Sequence, residues 1–201
     1  MRINPSCGAL VAFLALSASP GMAATADGAF SIRGIGAQSC AQVVEGVDGD
    51  EAGTTRLFLA SWTAGYLTRA NRDHGTAFET MPVNDTAVVT EVAINLCRDN
   101  PDVLFEATVA ALVANLSSAA QDQASDLLEV SYGAAVLSVR REVIRLVQQQ
   151  LAGLGLLPVG TDDGLFGPRT VEALLIFQET HGLPQTGLPD VATLVAIFAP
   201  Q

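Results

Sequence analysis

Apolar residues recur at three- and four-residue spacing along most of this chain, and that spacing predicts helices. Phe58, Trp62 and Tyr66 share one face of a helix over 54–71, and Gly65 inside it calls for a neighbour packed close. Val88, Val92 and Leu96 give the inward face of a second helix, from Asn84 or Asp85 to Cys97, with a capping side chain at its start. Asn100-Pro101-Asp102 reads as a cap, a first-turn proline and an acidic first turn, and Leu104, Thr108 and Leu112 carry this third helix to about Leu116. Ser117 to Asp126 is polar and reads as a linker or an exposed helical turn. Residues 127–151 read as helix again, striped by Ile144, Val147, Leu151 and Leu154 and ended by Gly155. Asp163-Gly164 is a tight-turn pair, and Gly167-Pro168 opens a helix carrying Val171, Leu174 and Phe177 to near His181-Gly182. Thr186-Gly187 makes a further turn, Asp190 caps a short last helix, and Leu194 and Ile197 return it to the core. The pattern is all-α.

The amino terminus carries a different signal. Met1-Arg2 is followed by the apolar run Gly8–Leu16, and small residues at Gly21-Met22-Ala23 or Ala24-Thr25-Ala26 fit signal-peptide cleavage. That run is too short for a bilayer span, which needs about 20 residues. We read 1–26 as a signal peptide and expect a periplasmic protein with no transmembrane segment after cleavage. Cleavage removes Cys7 and leaves Cys40 with Cys97. In an oxidising compartment two cysteines most simply pair, and closing a loop of that length stabilises by about 4 kcal/mol in the chain-entropy view. Metal ligation and a catalytic thiol are the rivals; neither cysteine has a C-x-x-C or C-x-x-H companion.

Composition narrows the partners. The 201 residues are 49% hydrophobic, enough for a real core, and ten Arg (no Lys) face 21 acids for a net charge of −11. Such a balance excludes nucleic acid as the main partner, because phosphate binding needs clustered cations. The acidity is shared: fifteen acids against seven Arg over 27–141, and six against two over 142–201.

No catalytic constellation emerges. The two histidines, His74 and His181, are far apart, and neither H-E-x-x-H nor G-x-S-x-G occurs. Asp48, Asp50 and Glu51 sit in a Gly-rich loop and read as a solvated cluster rather than a glycosidase pair. We expect no cofactor, no metal and no enzymatic activity.

Two resemblances organise the chain. The D-G-x-F-G-x-x-T turn at 163–170, the A-x-x-x-F-Q helix ending in Phe177-Gln178 and the T-G-x-x-D-x-x-T turn at 186–193, in that order, resemble the three-helix peptidoglycan-binding domain appended to bacterial wall hydrolases. That likeness implies a ligand groove with Asp163, Phe166, Arg169 and Gln178 as candidate contacts and peptidoglycan as partner. Arg169 suits a stem-peptide carboxylate, because a guanidinium fork matches that geometry. Further upstream, Cys40, the cluster Trp62, Gly65, Tyr66 and Asn71, and Cys97 with Pro101 resemble the small disulfide-bonded helical domains related to the chaperone HdeA. This second likeness implies a periplasmic helical domain, and with it a client or partner protein. The resulting division is a signal peptide at 1–26, a helical domain at 27–116, a linker or connecting helix at 117–141 and a peptidoglycan-binding-like domain at 142–201. The function expected is non-catalytic wall binding. The alternatives are an acid-stress chaperone, whose net charge would reverse at low pH, and an accessory or unrecognised wall hydrolase.

Overall fold

In the computed structural model, which describes residues 29–198, the first helix begins at a capping box. The Ser39 hydroxyl accepts from the Gln42 N–H at 3.3 Å, while the Gln42 side chain accepts from the Ser39 N–H at 3.0 Å. The expected signal peptide lies outside the described residues. Helices α1 (Cys40–Asp48), α2 (Ala52–Asp73), α3 (Thr86–Asp99) and α4 (Phe105–Asn115) form the amino-terminal part. Cys40 and Cys97, both fully buried, form a disulfide between α1 and α3. Pairing closes the metal and thiol readings of these residues.

Three local expectations shift. Helix α4 starts at Phe105 rather than near Pro101, because the preceding backbone serves α1. The carbonyls of Val103 and Pro101 accept from the N–H groups of Cys40 (2.7 Å) and Ala41 (2.9 Å), donors that a helix start leaves orphaned. The most buried face of α3 is Val89, Ala93, Ile94 and Cys97; of the expected stripe Val92 and Leu96 are half-buried against the core, while Val88 is exposed. Gly65 has open space around it, and the close approach falls at Gly36, where any Cβ would sit 2.1 Å from Trp62 Cζ2. Trp62 in turn stacks on Tyr66 and meets Phe105 edge-on, so this stripe is packing; Phe58 stays 60% exposed.

The segment expected to be helical from Leu127 is instead an antiparallel hairpin, β1 (Leu127–Tyr132) with β2 (Ala135–Arg140), paired from Leu127 opposite Arg140 to Tyr132 opposite Ala135. Period-2 alternation explains the outcome: Val130 and Val139 are buried while Glu129 and Ser131 face water. Gly133 and Ala134 form a two-residue turn of the kind hairpins favour. The described residues are therefore mostly helical with one small sheet.

Helices α5 (Arg141–Gly153), α6 (Pro168–Thr180) and α7 (Val191–Phe198) follow, with Pro168 in the first turn of α6 as expected. Val143, Ile144, Val147 and Leu151 of α5, Leu174 and Phe177 of α6, and Leu194 of α7 are buried. From Ile32 onward the described residues form one compact unit. Arg140 helps to tie it: its guanidinium pairs with the half-buried Glu79 carboxylate, donates to the Ser125 carbonyl at 2.8 Å and lies over the Phe78 ring. The Ser118 hydroxyl donates to the Phe198 carbonyl at 2.9 Å, joining the end of α4 to α7.

Candidate functional site

Two loops of the carboxy-terminal helices are built on the same plan, each around a buried glutamine. The Gln148 amide of α5 donates to Asp163 Oδ1 (3.2 Å), the Leu165 carbonyl (2.9 Å) and Thr170 Oγ1 (3.1 Å), and its oxygen accepts from the Gly164 N–H (2.8 Å). The Gln178 amide of α6 donates to Thr186 Oγ1 (3.0 Å), the Leu188 carbonyl (3.0 Å) and Thr193 Oγ1 (2.9 Å), and accepts from the Gly187 N–H (2.9 Å). Each turn thus reads Gly-Leu followed by Thr five positions after the Leu. The two glycines have φ of 69° and 63°, a conformation costly for a residue with a Cβ. This duplication was visible in the sequence as Gly164-Leu165…Thr170 and Gly187-Leu188…Thr193, and the two glutamines are its missing half.

Short carboxylates finish both turns. Asp163 Oδ1 accepts from the Leu165 N–H at 2.9 Å, and Asp190 Oδ1 accepts from the Thr193 N–H at 2.9 Å, capping α7 as the sequence predicts. His181 closes α6: its ring stacks on Phe177 and its Nδ1–H donates to the Phe177 carbonyl at 2.8 Å.

The first turn borders an open groove of about 620 Å3, lined by Asp163 and Arg169 together with Leu157, Leu165 and Thr170. Phe166 lies across the Gly167-Pro168 ridge in a second groove of about 460 Å3. Gln178 lines neither. Fully buried and with both ends of its amide engaged, it holds the second turn, which corrects its expected part as a ligand contact. Among the expected contacts, the structure therefore brings Asp163 and Arg169 together and sets Phe166 beside them.

The cations are arranged unequally. Arg140 pairs with Glu79, Arg141 with Asp126, and Arg145 with Glu142 and Asp162. Asp162 is further held below the usual carboxylate range by the hydrogen bond from the Gln149 amide and by the loop backbone, with Arg145 adding to the effect. Among the described residues of 140–197, Arg169 alone of the arginines carries no ion pair or hydrogen bond. It is exposed at the groove rim, with its donor fork unengaged.

Residues 140–197 match the family described as Putative peptidoglycan binding domain. The matched span begins at Arg140 and ends within α7, so it contains both glutamine-centred turns and the groove at Arg169. No curated protein and no solved structure matches the chain. A peptidoglycan-binding domain and a closed disulfide both fit an extracytoplasmic protein, and no helix among the described residues is long and apolar enough to cross a membrane.

Proposed function

We propose that this chain is a non-catalytic periplasmic protein that holds peptidoglycan through its carboxy-terminal helices while α1–α4 present a separate surface to a partner. Arg169 carries the reading. A guanidinium whose fork is unengaged, at the rim of a groove within the matched span, is suited to a carboxylate of the wall's stem peptide. Asp163 contributes by fixing the turn: with Oδ1 engaged by Leu165 and Gln148, it holds the groove wall rather than the ligand's charge. The net charge of −11 weakens any general attraction to anionic wall polymers, so recognition rests on local contacts. The test is binding of the stem peptide to the full chain by calorimetry. Arg169→Ala is expected to weaken it about tenfold or more, the scale of a charge-assisted hydrogen-bonded pair. Equal affinity of variant and wild type would remove Arg169 from the site.

A further inference from the structure

The hairpin brings one aromatic side chain to this region from outside the matched span. Tyr132 ends β1, is 45% exposed and lines the second groove with Phe166, Pro168, Val171, Ser131 and Glu172. Its ring is seated rather than loose: Gly187, in the second glutamine-centred turn, lies so close that a Cβ there would stand 2.7 Å from Tyr132 Cδ1. A buried glutamine therefore positions Gly187, and Gly187 makes room for the tyrosine ring. Among the described residues the Tyr132 hydroxyl has no hydrogen-bond partner, so the polar end of the ring remains available.

The two grooves meet. Gly167 and Pro168 line both, so the space beside Tyr132 and the space beside Arg169 lie on either side of that ridge. The chemistry differs on the two sides. The Arg169 side offers a cation and turn backbone, whereas the Tyr132 side offers two aromatic rings and a proline with a serine hydroxyl and a carboxylate at the rim. A pyranose ring matches the latter, since its axial C–H face is apolar and its edge carries hydroxyl and acetamido groups. Amphipathic aromatics such as tyrosine serve such ligands with little loss of side-chain freedom.

We propose that Tyr132 and Phe166 form a sugar-stacking subsite for the glycan strand of peptidoglycan, next to the stem-peptide groove at Arg169. This inference rests on the wall-binding reading and extends it with a residue that the hairpin supplies. A ligand branching from sugar to peptide would then straddle the Gly167-Pro168 ridge, with Glu172 and Ser131 accepting or donating to the sugar's edge.

The experiment measures three ligands against the full chain: intact sacculi, glycan strands stripped of stem peptides, and free stem peptide. Tyr132→Ala is expected to lower affinity for the stripped glycan about tenfold, the scale of one aromatic stack, and to leave free stem-peptide affinity unchanged. Tyr132→Phe, which keeps the ring and removes only the hydroxyl, is expected to lose less than Tyr132→Ala. Saturation-transfer NMR on the wild type, which needs no variant to fold, is expected to pass magnetisation from protein aromatic protons to the sugar ring protons. Stripped glycan that binds Tyr132→Ala as well as wild type, or that receives no transfer, overturns the subsite while wall binding stands. Wild-type protein that binds none of the three ligands overturns the wall-binding reading and the subsite with it.

Discussion

Gln178 bridges four groups over 186–193 and is the one partner of the Gly187 N–H among the described residues, and Gln148 bridges four groups over 163–170 and serves the Gly164 N–H in the same way. A buried polar group without a partner costs more than a made bond returns, so these amides matter beyond their own number. Gln178→Leu keeps volume but strands the Gly187 N–H and takes the amide donor from the Leu188 carbonyl, while the Thr186 and Thr193 hydroxyls keep their bonds to Asp190; we expect it to cost about 2 kcal/mol in urea unfolding. A loss below about 1 kcal/mol would show that water takes over the contacts. Tyr66 gives a second check at this scale. Burial, and then the neighbouring Glu106 carboxylate, push its phenol up to about 12 from the ordinary 10.0. A phenol raised in the folded state favours folding fully below its unfolded value and loses that contribution as pH rises through the folded one. Ultraviolet titration is expected to find one tyrosine ionising at about 12 in the folded protein; titration of both near 10 would contradict the packing described for Tyr66. In the acidic direction Asp48 behaves oppositely. Two hydrogen bonds from Arg98, both 2.7 Å, hold its carboxyl below the usual range, so this contribution is present at neutral pH and is lost as pH falls through that lowered value.

Helices announced themselves in this chain because their start signals are local. Asp85, Pro168 and Asp190 each act within one turn, and each sits at or next to a helix start in the structure, whereas the equally local Ser39–Gln42 capping box of α1 was not read. Helix α4 was misplaced because Pro101 and Val103 lend their carbonyls to α1, a partner sixty residues distant in sequence that no local pattern can reveal. The hairpin was legible in principle through the alternation of Val130 with Ser131 and of Val139 with Ser138, but the helical stripe that begins at Val143 runs directly from it and masked the change of period. Asp163 and Arg169 were expected at a groove from the resemblance to the peptidoglycan-binding domain, and both line one. Tyr132 was not, because its neighbour Gly187 lies in a distant turn. At the element scale the contact that joins β2 to the loop after α2 is Arg140 with Glu79, both side chains 18% exposed. We expect a double-mutant cycle of Arg140→Ala and Glu79→Ala to return a coupling of about 1–2 kcal/mol, above the usual surface pair. A coupling indistinguishable from zero would mean that the guanidinium is held by the Ser125 carbonyl and Phe78 ring alone.

Across the whole molecule the disulfide and the shared core act together. Cys40 and Cys97 close a loop with a sequence separation of 57 within the amino-terminal helices, and comparing denaturant unfolding with and without a thiol reductant is expected to show a loss of about 4 kcal/mol on opening it. Reduction that leaves the midpoint unchanged would contradict a stabilising role. The acidity that first argued against nucleic acid bears equally on the wall: a chain of net charge −11 is not drawn to an anionic polymer from a distance, so the proposed hold on the wall rests on the groove beside Arg169. Arg72, an exposed arginine in the last turn of α2 far along the chain from the matched span, supplies a charge-matched control. The most direct test is co-sedimentation of the full chain with purified sacculi. Wild type and Arg72→Ala are expected to pellet alike, and Arg169→Ala to require about tenfold more sacculi for the same fraction bound. Wild-type protein left in the supernatant, or Arg169→Ala pelleting as well as wild type, would contradict the account.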